Sequence, residues 1–260
     1  MDWGRAKSVL ILAFLVLNVL LAYQLWTEWR ARAGSSEDWT ALSAETQAIM
    51  MEKGIRLDAK IPADTPAMRE LSFALLPSPA GIIEGDAEPI PLDQQPEARI
   101  VFSQKELETA LGGIIPEISK YAYDDPGSRS GVFVLYRMAD GFPIFDIRLE
   151  LYNREQKIWG YRQDLIQILE TEEGKGQQVL AASTAVAHLI ENYLPHGSVI
   201  KDIRLGYHGQ IFPDAEKQIS APSWRVLLEN GEVYYVHAIS AEVTTEKGDA
   251  PLVPLQRESS

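Results

Sequence analysis

Residues 223–243 read SWRVLLENGEVYYVHAISAEV, two apolar and aromatic runs on either side of Asn230-Gly231. Asn-Gly between β-branched and aromatic residues is the strongest short-range hairpin signal, because a two-residue type I′ turn needs φ > 0 at both central positions. That turn would place Leu228 opposite Val233, Val226 opposite Tyr235 and Trp224 opposite His237. An antiparallel hairpin here makes the carboxy-terminal part of the chain a sheet, and the segments before it say what covers that sheet. Val199 to Tyr207 reads as a strand and Gln178 to Leu194 as an alanine-rich helix behind the polar spacer EEGKGQ.

The same order occurs once more upstream. In SQKELETAL, Ser103 and Glu106 stand at capping-box spacing, Gly112-Gly113 should stop the helix, and Pro116 could open a second piece. The turn-rich loop DDPGSRSG follows, then VFVLYRM, FPIFDIRLELY and KIWGYRQDLIQIL, three strand-like segments expected to form an antiparallel meander. Within them Phe145, Ile147, Leu149 and Leu151 alternate with Asp146, Arg148 and Glu150, the period of a half-buried strand. Helix followed by antiparallel strands therefore occurs twice, and the fold class expected is α+β, with units over 99–172 and 173–247. Upstream, a helix is expected from Ser36 to Met51, capped by Ser36 and stopped at Gly54, followed by strands in IRLDAKI and ELSFALL. Prolines 77, 79, 89, 91 and 96 make 77–96 a connector, so 27–98 reads as juxtamembrane helix, strands and connector, and 248–260 as a flexible tail.

The first thirty residues, MDWGRAKSVLILAFLVLNVLLAYQLWTEWR, carry an apolar run from Val9 to Trp26. As a helix it would rise about 27 Å, close to the thickness of a bilayer's hydrocarbon core. Ala31 and Ala33 offer a cleavage site before Gly34, but charged Glu28, Arg30 and Arg32 intervene, so a retained anchor is expected over 9–26. Trp3, Tyr23, Trp26 and Trp29 flank the run as interfacial aromatics do, and Arg5 and Lys7 place the tail 1–8 in the cytoplasm and the body outside. Ile11, Phe14, Asn18, Ala22 and Leu25 fall on one stripe of this helix. An amide at mid-depth is either tolerated there or bonded to a neighbouring helix, and the stripe is the candidate partner-binding face.

MDW, Lys7 and FLVLNVLLAYQLW resemble the start of the YycI family, membrane-anchored accessory proteins of an essential two-component system of low-G+C Gram-positive bacteria. The resemblance implies one transmembrane helix, an extracytoplasmic domain, and modulation of the sensor histidine kinase WalK together with YycH, through contacts that include the membrane helices. The two α+β units resemble PepSY-like modules, with His237, Ala238 and Ala241 where a PepSY strand end has acidic and glycine positions.

Composition excludes several chemistries. The chain has 24 Lys and Arg against 37 Asp and Glu, a net charge of −13, and the part beyond the first thirty residues is more acidic still. Phosphate backbones would repel it, so nucleic acid is excluded as main partner. With no cysteine there is no thiolate nucleophile, disulfide or thiolate metal site. Ser198 and Lys201 match S-x-x-K, but S-D-N and K-T-G are missing and the pair lies in a strand-like segment. His188, His196, His208 and His237 lack tight ligand spacing, and Asp124-Asp125 lacks the alternating ligands of a calcium loop. No catalytic, cofactor-binding or metal residues are expected. Three classes stand: a regulatory protein beside a sensor kinase, which is the reading adopted; an extracytoplasmic module binding or inhibiting a protease or wall polymer; and a hydrolase.

Overall fold

The terminal hairpin forms, one residue out of the expected register. The Gly231 N–H donates to Leu228 O at 3.0 Å and the Leu228 N–H to Glu232 O at 2.9 Å, while Gly231 has φ 85° and Asn230 is not among the positive-φ residues. This is a three-residue loop, a type I turn closed by a left-handed glycine, rather than a two-residue type I′ turn. The extra loop residue pairs Trp224 with Val236, Arg225 with Tyr235 and Val226 with Tyr234. The slip matters because it puts Arg225, rather than Val226, on the same face as Tyr235.

The computed structural model describes Phe14, Asn18 and residues 41–83, 85, 87–169, 176–246 and 252. In chain order the elements are α1 (Ala44–Lys53), β1 (Arg56–Leu57), β2 (Ala67–Met68), β3 (Leu71–Leu76) and β4 (Ile90–Pro91). A 3₁₀ turn, Ala98–Phe102, leads into α2 (Gln104–Leu111). Then come β5 (Tyr121–Tyr123), β6 (Val132–Ala139), β7 (Phe142–Arg154), β8 (Lys157–Gln163) and β9 (Leu165–Ile168). The last elements are β10 (Gln177–Gln178), α3 (Ala182–Asn192), β11 (Val199–His208), β12 (Gln218–Leu228), β13 (Val233–His237) and β14 (Val243–Thr245).

The fold is mixed α+β, with one twelve-stranded sheet and few helices among the described residues. Its main path runs β14-β13-β12-β11-β7-β6-β5, so the two helix-then-strands repeats share a sheet. They meet where β11 lies parallel to β7 with Tyr207 beside Ile144. A Cβ on Gly206 would stand 2.5 Å from the Pro143 carbonyl oxygen and 2.6 Å from the Phe145 ring, so the strands can approach only because that residue is glycine.

Local signals set most helix ends. Ser103 accepts from the Glu106 N–H as expected, and α2 ends at Leu111 before Gly112. A 3₁₀ turn at Ile118–Lys120, rather than at Pro116 itself, follows it. Of the helix expected from Ser36, residues 36–40 lie outside the described residues; α1 begins at Ala44, capped by Ser43, whose side chain accepts from the Thr46 N–H at 3.1 Å, and Gly54 stops it as expected. The helix α3 begins at Ala182 rather than Gln178, since Gln177 and Gln178 pair with Met68 and Ala67. Lys53 holds the end of α3, donating to the carbonyls of Ile190 and Glu191 at 2.8 and 3.2 Å.

The meander β6-β7-β8 forms, but the third segment breaks at Asp164 and β9 leaves to pair with β3. Asp164 marks the switch: its carboxylate accepts from the Ile82, Ile83 and Arg148 N–H groups at 2.6, 3.0 and 3.3 Å. Burial pushes its pKa up, despite these bonds. The alternation expected from Phe145 to Leu151 holds only from Ile147. Register jumps between Tyr136↔Arg148 and Arg137↔Ile144, leaving Phe145, Asp146 and Ile147 without partners on β6. Phe145 therefore packs with Val134, Tyr136 and Tyr235, while Leu149 and Leu151 join the core under α2 and Ile147 joins that under α3.

Candidate functional site: a buried charge clamp and the clefts beside it

On β11 and β12, Arg204 stands directly opposite Arg225. Like charges opposed across an antiparallel pair are destabilising, and both residues lie on the face that carries Tyr235, opposite the one packed against α3. Asp124, the residue after β5, resolves the conflict. Its Oδ2 accepts from Arg225 Nη1 at 2.8 Å and its Oδ1 from Arg225 Nη2 at 3.1 Å, a bidentate pair, and Oδ1 also accepts from Arg204. The Gly127 N–H adds a bond to Oδ2 at 2.8 Å, and Arg225 Nη2 donates to Asp202 at 2.7 Å. Two guanidinium groups thus face two carboxylates, with Asp124 fully buried and the Arg225 side chain 2% exposed. Burial works against the Arg225 charge, but the hydrogen bonds to Asp124 and Asp202 win and hold its pKa above the ordinary guanidinium value.

Aromatic rings complete the enclosure. The Arg225 guanidinium lies 4.9 Å from the Phe145 ring centre and 5.4 Å from that of Tyr136. Nearby, Asp146 of the β7 bulge meets His208 Nδ1 at 2.8 Å and accepts from the Gly209 N–H at 3.0 Å, while the His208 ring stacks on Tyr235 at 3.7 Å. Every carboxylate oxygen of Asp124 and Asp146 is engaged by a described neighbour. The arrangement is suited to holding the loop after β5 and the bulge of β7 against β11 and β12.

Two clefts flank β5. On one side an apolar cavity of about 780 Å³ is lined by Ala122, Tyr123, Tyr136, Met138, Phe142 and Arg204, with Pro62 and Pro66 from the segment before β2. On the other, a more polar cleft of about 470 Å³ contains Phe102, Tyr123 and Phe133, whose rings meet edge to face at 5.4–6.0 Å.

Of the sequence-proposed partner face, Ile11, Ala22 and Leu25 lie outside the described residues. Phe14 and Asn18 are helical and exposed, and the Asn18 amide donates to the Phe14 carbonyl at 2.8 Å. Among the described residues no helix is long and apolar enough to cross a membrane. Ser198 donates to Pro195 O, and Lys201 pairs with Asp58 and Glu229 at 2.8 and 3.2 Å, so the S-x-x-K residues are separately engaged. His188 meets Asn192 at 3.2 Å, and His237, opposite Ser223 rather than Trp224, accepts the Ile239 and Ser240 N–H groups. No group of three His, Cys, Asp or Glu side chains that could hold a metal ion occurs among the described residues.

Sequence reasoning missed Asp124, Arg204 and Arg225 as a set. The legible signal was an arginine inside the apolar run Trp224-Arg225-Val226; its partner lies 101 residues away.

The family described as YycI protein matches residues 82–239, more than half of the chain, and the chain belongs to the YycI family. Asp124, Arg204 and Arg225 and the strands that carry them all lie within the matched region. No curated protein matches the chain. Among solved structures, an uncharacterized protein from Eubacterium rectale ATCC 33656 aligns over 51% of this chain and 41% of its own at 14% identity and a TM-score of 0.27. The chain thus spans about two-fifths of that protein's length, and the likeness carries no argument.

Proposed function

We propose that this chain is a non-enzymatic, membrane-anchored accessory protein that modulates a WalK-like sensor histidine kinase of a cell-wall-related two-component system, together with a YycH-like protein. The tail 1–8 lies in the cytoplasm, 9–26 spans the membrane with Ile11, Phe14, Asn18, Ala22 and Leu25 toward a partner helix, and the α+β body works outside. The family match over 82–239 is the observation that carries this reading. The clamp supports it, since a neutralised ion cluster braces a body through which contact at one surface can be transmitted.

The test is co-purification of the intact chain with the kinase from detergent-solubilised membranes, paired with kinase output. Output that changes when 1–33 is fused to an unrelated outer domain supports contact through the membrane helix. An intact chain that neither co-purifies with the kinase nor alters its output refutes the proposal.

A further inference from the structure

The strand β5 ends one side of the sheet, pairing with β6 alone. Backbone groups along an antiparallel edge alternate between facing the neighbour and facing outward. The Asp124 N–H donates to Val134 O at 2.9 Å, so residues 122 and 124 turn their backbone groups toward β6 and residues 121 and 123 turn theirs away. The Tyr121 N–H is taken by Ile118 O. That leaves the Tyr121 carbonyl and the Tyr123 N–H and carbonyl aimed at the open edge, without a backbone partner among the described residues.

The side chains of β5 alternate as well. Ala122, paired with Tyr136, borders the apolar cavity of about 780 Å³, while Tyr123, paired with Leu135, borders that cavity too and also belongs to the aromatic trio at the 470 Å³ cleft. Phe102, which completes that trio from the 3₁₀ turn, is 66% exposed. One open edge thus borders two pockets that meet at Tyr123. A donor and acceptor on one edge residue match the spacing of another extended backbone, and two pockets reached from one short edge can take successive side chains of a strand.

We propose that the β5 edge accepts an extended polypeptide segment of a partner as an added strand, with one apolar side chain entering the cavity beside Ala122 and the next packing on Phe102, Tyr123 and Phe133. The contact depends neither on the membrane helix nor on the partner being a kinase. It is short, with two main-chain bonds at Tyr123 and one at the Tyr121 carbonyl, and most of its specificity lies in the two pockets.

The probe is a displayed library of random octapeptides presented to the full chain in detergent micelles, with recovered peptides synthesised, labelled and titrated. Strand addition makes binding depend on backbone parity: N-methylation of the residues facing β5 should abolish it, and N-methylation of the intervening ones should not. Tyr123→Pro removes the edge donor without touching the pairing to β6, as proline is tolerated at an edge. Because it also removes the Tyr123 ring from the cleft, it is compared with Tyr123→Ala, which loses the ring but keeps the N–H: Tyr123→Pro should bind about tenfold more weakly than Tyr123→Ala, the effect of one lost buried hydrogen bond, whereas Tyr123→Phe should bind within about twofold of the parent. Should Tyr123→Pro fail to fold, the N-methyl series decides alone. Peptides indifferent to N-methyl parity would overturn the proposal. So would recovery of no binding peptide, including the case in which an N-acetylglucosamine oligomer occupies the aromatic cleft instead.

Discussion

Replacing Asp124 by asparagine tests the clamp most directly. The substitution keeps shape and one acceptor but removes the charge shared by Arg225 and Arg204, leaving two guanidinium groups opposed across β11 and β12 with Asp202 as the remaining described carboxylate partner of Arg225. Removing one member of a buried ion pair costs about 3–5 kcal/mol because the other is left uncompensated. For a body of this size that lowers Tm by about 6–20 °C. Arg225→Met is milder by the same reasoning, about 2–3 kcal/mol, since Asp124 keeps Arg204 and the Gly127 N–H and methionine refills the space between Tyr136 and Phe145. The double variant should cost less than the sum of the two by about 1–2 kcal/mol. Urea titration of the detergent-solubilised chain, read by tryptophan fluorescence, is the assay, and Trp224, buried beside Arg225, is a reporter. An Arg225→Met variant as destabilised as Asp124→Asn, or strictly additive effects, would refute the view that Asp124 is the shared centre.

Gly231→Val should destabilise the terminal hairpin by about 1–2 kcal/mol, since φ 85° is left-handed and, with no atom within 4 Å of a new Cβ, the penalty is conformational alone; an unchanged Tm would contradict the turn. Asp164 has its folded pKa raised by burial, so its contribution to stability is fully present below the unfolded value of 3.8 and is lost as pH rises through the folded pKa. The stability of Asp164→Asn relative to the parent should accordingly rise across that window, and denaturation at stepped pH showing it fall would be a disproof. Asn18→Leu should weaken membrane co-purification with the kinase by about threefold, the low end for an interhelical bond because one amide N–H is already given to Phe14. Val16→Leu is the control, and equal signals from both variants would mean the asparagine serves no partner.

The residues themselves determined what short-range physics can decide. Ser103 at capping-box spacing starts α2, Gly54 ends α1, and the two repeats of helix and strands are readable because caps, periodicity and turn residues act over a few positions. The opening residues and the matched stretch 82–239 point to the same family. Register was not legible, because Asn-Gly suits both a two-residue and a three-residue loop, and the difference is whether Asn230 or only Gly231 takes positive φ. That single residue decides whether Arg225 or Val226 faces Tyr235. Helix starts were misread where a pairing partner competed, as when Gln177 and Gln178 joined Ala67 and Met68 across more than a hundred residues. The clamp is the extreme case. Asp124 in its loop has the signature of an ordinary turn residue, and only the parallel joint of β7 to β11 brings it to Arg225, where burial turns a solvated charge into a structural one.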